Sequence, residues 1–215
     1  MCEQNAKSLF ENLKALLKHF SQSNKSTGIL NKSLAALEMN SIHILNWGST
    51  RMAGFLDACL QASKIIVPLL DTIISAGIRS DETKFIGSPK GIFMLQLFAD
   101  IHKLYANFYL HRVDGDNSII ACEAYDIAMK TANDLQTIQT PLADSFIESL
   151  DEDANQNVTA TFKLNGADHS LTLNERLTSR NKSLHKVKEN LRKIKTAIID
   201  NMVANFTIKT LKTVY

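Results

Sequence analysis

Glycine and proline are scarce in this chain, 8 and 3 among 215 residues, where roughly 15 and 10 would be average. That excludes a mostly β protein, which needs many turns, and a glycine-rich nucleotide-binding fold. Cysteine is scarce too. Cys2, Cys59 and Cys122 are odd in number and far apart, which excludes a disulfide framework and zinc-knuckle spacing and fits a reducing compartment. The longest run free of Asp, Glu, Lys and Arg is the 12 residues Met39 to Thr50, well short of the about 20 apolar residues of a spanning helix. Glu3, Lys7 and Glu11 leave no apolar signal segment at the N-terminus. The expectation is a soluble intracellular protein with no membrane partner, in which Asn157-Val-Thr and Asn205-Phe-Thr are chance glycosylation matches.

Apolar material is plentiful. The chain is 45% hydrophobic and 21% charged, enough for a sizeable core and too apolar for intrinsic disorder. Most of it recurs at helical spacing. Leu9, Phe10, Leu13, Leu16, Leu17 and Phe20 predict a helix over 4–22, ended by Ser23-Asn24. Ile29, Leu30, Leu34, Leu37 and Met39 mark a second. Ile42 to Trp47 reads as a short link of ambiguous type. A long helix follows from Ser49-Thr50, with a kink or break near Val67 ahead of Pro68 and a stop at Gly77.

Residues 78–91, with Gly87, Pro89 and Gly91, read as a loop. Ile92 to Tyr109 is the most apolar stretch and is expected to be the central helix, with Ile101, Leu104, Tyr105 and Phe108 on one face. Asp114-Gly-Asp marks a turn before a helix over 117–136, and Pro141 opens a short helix to about 150. Over 156–174, Val158, Ala160, Phe162, Leu164, Leu171 and Leu173 alternate around Asn165-Gly166, which predicts one β-hairpin. The expected fold is thus a mostly α, multi-helix bundle carrying one small hairpin, a single helical region over 1–215.

The last predicted helix spans 175–212. Leu177, Leu184, Leu191 and Ile198 fall seven apart, with Val187 and Ile194 in the second position. Its other side is basic. Arg176 to Lys212 holds ten Lys and Arg against only Glu189 and Asp200, although the whole chain is only +2. Asp144, Glu148, Asp151, Glu152 and Asp153 form an acidic run just upstream. A basic arm of this sort suits a polyanion or an acidic partner surface, or is a solvated helix face. The apolar stripe is either buried against the Leu9–Phe20 or Ile92–Tyr109 helices or is a seam for a partner helix.

Catalytic signatures are missing. Gly87-Ser-Pro-Lys-Gly91 lacks the ending of a phosphate loop and reads as a turn. The six His are scattered without metal-ligand spacing. His102 reads as a core-edge residue. Asp100 has apolar neighbours that could raise its pKa, but reads first as a solvent-facing or capping carboxylate. No pair of carboxylates can be assigned acid and base roles, so no enzyme, no cofactor and no small-molecule substrate are expected. Trp47, the only Trp, sits in Trp47-Gly-Ser-Thr-Arg-Met52. It is either a structural anchor between helices or a stacking platform for an unpaired base, with Ser49, Thr50 and Arg51 placed for phosphate.

Phe10-Glu-Asn-Leu13, Leu17 to Phe20 with Ser21, Ser23 and Lys25, Leu37, the Trp47–Met52 segment, the apolar 92–110 helix and Ile198-Ile-Asp-Asn-Met202 with Asn205-Phe206 resemble the hAT superfamily of DNA transposases and their domesticated relatives. The resemblance spans most of the chain, and its specific part is the Trp47 segment. It implies the helical insertion domain of an RNase H-like transposase, a nuclear location, and DNA or related transposase-like chains (including further copies of this one) as partners. The family's magnesium-binding carboxylates, two Asp and one Glu, have no counterparts here, so the implied chain is catalytically incomplete. The family usually has Arg before the Trp, where this chain has Asn46. By resemblance and charge together the candidate nucleic-acid contacts are Trp47, Ser49, Thr50, Arg51, Arg180, Lys186, Arg192 and Lys193. The alternative reading is a helical protein–protein interaction module with no nucleic-acid role.

Overall fold

Residues 91–99 are buried without exception, and the helix that carries them organises the molecule. The computed structural model describes residues 2–40, 52–78, 80–113, 121–177 and 183–214. In chain order these form α1 (Cys2–Gln22), α2 (Asn24–Ala36), α3 (Met52–Lys64), α4 (Ile66–Ser75), α5 (Asp81–Ile86), α6 (Pro89–Val113), α7 (Ala121–Gln136), α8 (Pro141–Ser149), β1 (Leu150–Glu152), β2 (Asn157–Leu164), β3 (Ala167–Arg176) and α9 (Leu184–Val214). The protein is mostly helical, 72%, with one small three-stranded antiparallel sheet.

The predicted central helix is α6, whose stretch 91–99 holds no charged side chain and is buried on every side. It packs against α3, α7 and α8 and touches α1, α5, α9 and β3. Phe98 meets Phe55 of α3 edge-on at 5.3 Å, and Phe55 meets Phe10 of α1 at the same distance. The buried Gln96 amide is satisfied by Ser63 Oγ, which donates to its Oε1 at 2.7 Å. The α1 stripe is seated as its spacing demands, with Leu9, Leu13, Leu16, Leu17 and Phe20 at most 5% exposed.

The predicted long helix after Thr50 is broken, but earlier than Val67. α3 ends at Lys64, and α4 leaves it at 78°. A proline ring collides with the carbonyl four residues back. For Pro68 that residue is Lys64, the last of α3. Among the described residues no single helix is long and apolar enough to cross a membrane.

Residues 78–91 are not a loop throughout. Ser80 and Thr83 cap each other reciprocally, Ser80 Oγ accepting from Thr83 N and Thr83 Oγ1 from Ser80 N, and this starts the six-residue α5. Ser88 then caps α6 by accepting from Gly91 N at 3.1 Å, with Pro89 at the first helical position. A Cβ on Gly91 would strike the Phe85 carbonyl, so glycine is what lets α5 and α6 meet.

The hairpin of β2 and β3 turns on Asn165-Gly166, both at positive φ, 49° and 80°. That is the geometry of a tight two-residue hairpin loop. The expected single hairpin is, however, a three-stranded sheet, because β1 adds to β2 with Leu150 opposite Ala160. The last helix also starts later than 175. β3 continues to Arg176, and Leu177 N donates to Gln156 O at 2.7 Å. α9 begins only at Leu184, where Ser183 Oγ accepts from Lys186 N.

Candidate nucleic-acid interface

On a helix, positions seven apart share a face and positions 100° apart separate quickly. Leu191 and Ile198 of α9 are 3% exposed and Val187 9%. The stripe is therefore buried, in one core with the apolar residues of α1 and α6. The helix as a whole runs chiefly along α7, with α1, α6 and β1 as lesser neighbours. Ala128 and Ala132 of α7 are buried as well, and such small side chains let two helix backbones approach. Leu177 is buried but precedes the helix, so the stripe is not one continuous seam.

With that side committed, the cations of α9 fall into two rows. Lys186 and Lys193 lie seven apart on the exposed side. Lys193 Nζ meets Glu189 Oε1 at 2.7 Å within the helix. That hydrogen bond and charge, aided by His185 and Lys186, hold the Glu189 carboxyl below its ordinary value. Lys188, Arg192 and Lys195 form the second row, turned toward α8. Arg192 Nη2 donates to Glu148 Oε1 at 2.8 Å, and Lys195 Nζ to both Asp144 oxygens at 2.7 and 2.9 Å. Lys188 Nζ reaches the Glu148 main-chain oxygen at 3.5 Å. Asp144 and Glu148 of the acidic run upstream are therefore the acidic surface on which the basic helix rests.

Of the candidate contacts, α9 carries Lys186, Arg192 and Lys193, all exposed, with Arg192 engaged by Glu148. Trp47, Ser49, Thr50, Arg51 and Arg180 lie outside the described residues. Sequence reasoning passed over Lys188 and Lys195. Their signal was the i, i+4, i+7 spacing with Arg192, set against Asp144 and Glu148 at i, i+4 on the short helix upstream.

Other chemistry-bearing groups have structural tasks. Asp100 accepts from the amides of Leu142 and Ala143 at 3.3 and 3.0 Å, so it satisfies the open first turn of α8 from a neighbouring helix. Burial pushes its pKa up, those amides pull it down, and the nearby Asp144 charge raises it again. His102 Nε2 lies 2.6 Å from Asp57 Oδ1, which ties α6 to α3 at the core edge. Burial pushes the Cys59 thiol well up, which leaves it unreactive. Among the described residues no three His, Cys, Asp or Glu side chains come together as a metal site would require. A cleft of about 390 Å³ runs between α4 and β3, lined in part by Leu70, Ile73, Ile74, Lys84, Leu171 and Asn174.

No family model, curated protein or solved structure matches this chain.

Proposed function

We propose that this chain is a non-catalytic nucleic-acid-binding module of the hAT transposase-like kind, acting in the nucleus and contacting phosphates through the outer face of α9. One observation carries the reading. Lys186 and Lys193 repeat on the exposed face of a helix whose opposite face, Leu191 and Ile198, is sealed in the core. A cationic row on an immobile rod is what a phosphate backbone needs for positioning, whatever its sequence. The Trp47–Arg51 segment would add base stacking by its resemblance to the family, and the RNase H-like core with its magnesium site would belong to the complete parent protein.

Titration of labelled duplex and hairpin DNA across a salt series tests this. Binding should weaken as salt rises, and Lys186→Gln with Lys193→Gln should flatten the log–log salt slope by about 2. Absence of binding near 20 mM salt would refute the reading. The chain should neither nick nor join DNA with magnesium or manganese, and chelator-sensitive cleavage would show the module to be an enzyme.

A second reading, a protein-interaction module, is favoured by Ile74, which is 68% exposed at the cleft between α4 and β3. Self-association lost in Ile74→Glu, with DNA affinity absent in both proteins, would select it.

A further inference from the structure

We propose that Asp144 and Glu148 act as resident competitors for phosphate, occupying Arg192 and Lys195 and holding the polyanion affinity of α9 below what its cations could give. This rests on the nucleic-acid reading above and names how that same surface is regulated. Residues 184–200 contain five Lys and Arg against two carboxylates. Asp144 and Glu148 therefore cancel two of the three surplus charges. Both acceptors are held in place by packing: Ala143, Phe146 and Ile147 bury the inner face of α8, and Asp100 fixes its first turn. α9 is equally fixed through Leu191 and Ile198. Neither helix has to move for the exchange.

Only the long cationic side chains must swing. Arg192 and Glu148 are 51% and 70% exposed, so solvent and an incoming phosphate reach the same bond. Exposed pairs of this kind are weak, while arginine and lysine bond phosphate oxygens with the donors they now give to carboxylate. A polyanion can thus take the row over, but it does so against two carboxylates that stay beside it. Binding of weak or short polyanions is suppressed, and a long phosphate backbone anchored first at Lys186, and at Lys193 in exchange for Glu189, recruits the second row.

The test is a 20-base-pair labelled duplex titrated with the full chain and with the Asp144→Asn, Glu148→Gln double variant, with circular dichroism and melting to confirm that both fold. The variant should bind roughly five- to twentyfold more tightly near 50 mM salt, with a salt slope steeper by about 2. Adding Arg192→Gln and Lys195→Gln should abolish that gain. Unchanged affinity and slope in a folded double variant, beside a wild-type chain that binds, would overturn the competition and leave the nucleic-acid reading standing. A gain that survives loss of the two cations would overturn it too, as a mere change in net charge. No binding by either protein near 20 mM salt would refute both.

Discussion

Lys195 and Asp144 stand 51 residues apart in the chain, yet the Lys195 ammonium lies between both Asp144 carboxylate oxygens at 2.7 and 2.9 Å. Asp144 also accepts from Thr140 Oγ1, the residue before Pro141, at 2.9 Å. The start of α8 is thereby a junction where a basic helix, an acidic helix and the Asp100 carboxylate of the central helix meet.

Asp100 gives the first prediction. Asp100→Ala removes the acceptor of two amides in the first turn of α8 and should cost about 0.5–2 kcal/mol, the usual range for a lost helix cap. Asp100→Asn keeps one acceptor but turns an NH2 donor toward the other amide N–H, so it should recover only part of that loss at pH 7. The sign of the pH dependence follows from the raised pKa. The folded state binds this proton more readily than the unfolded chain, so this group's contribution to stability grows as pH falls through its folded pKa. It is complete below the ordinary aspartate value of about 3.9. Melts of wild type and Asp100→Asn between pH 3.5 and 7 should show that increment in the wild type alone.

Leu191→Ala should cost about 2–5 kcal/mol, because the side chain is enclosed in the core and its loss leaves a cavity. Urea unfolding measures it. A change under 1 kcal/mol, with altered oligomeric state, would mean that the stripe serves a partner.

Gly91→Ala should destabilise by about 1–3 kcal/mol despite the better helix propensity of alanine. The new methyl meets the Phe85 backbone, and backbone cannot swing aside as a side chain can. Thermal melting that shows a gain would mean that α5 shifts freely on α6.

Under the proposed function, Trp47→Ala should weaken binding to hairpin DNA by roughly tenfold, since a stacked base contributes about 1–3 kcal/mol. The melting temperature should hold. A large loss of stability with unchanged affinity in the folded fraction would assign Trp47 to the core instead.

The helices were legible because an amphipathic helix writes its period into the chain. Leu9 to Phe20 and the charge-free run Gly91 to Ala99 needed no neighbours to be recognised. Asn165-Gly166 was equally readable, since few residue pairs accept two positive φ angles. The elements that escaped were too short for a period. α5 has six residues and β1 three, and each exists through a specific partner: Ser80 with Thr83 for the first, Val158 to Ala160 of β2 for the second.

Sequence alone determined that the final segment would be basic on one side and apolar on the other, because side-chain identity and helical pitch are local properties. Tertiary structure decided what each side meets. The apolar side was sealed into the same core as the residues of α1 and α6, with α7 running alongside, because hydrophobic burial is non-directional and any complementary face can fill the place. The basic side was divided between solvent and α8. Whether a lysine faces water or a carboxylate depends on the rotation of α9 about its axis, and that rotation was set by seating Val187, Leu191 and Ile198 in the core.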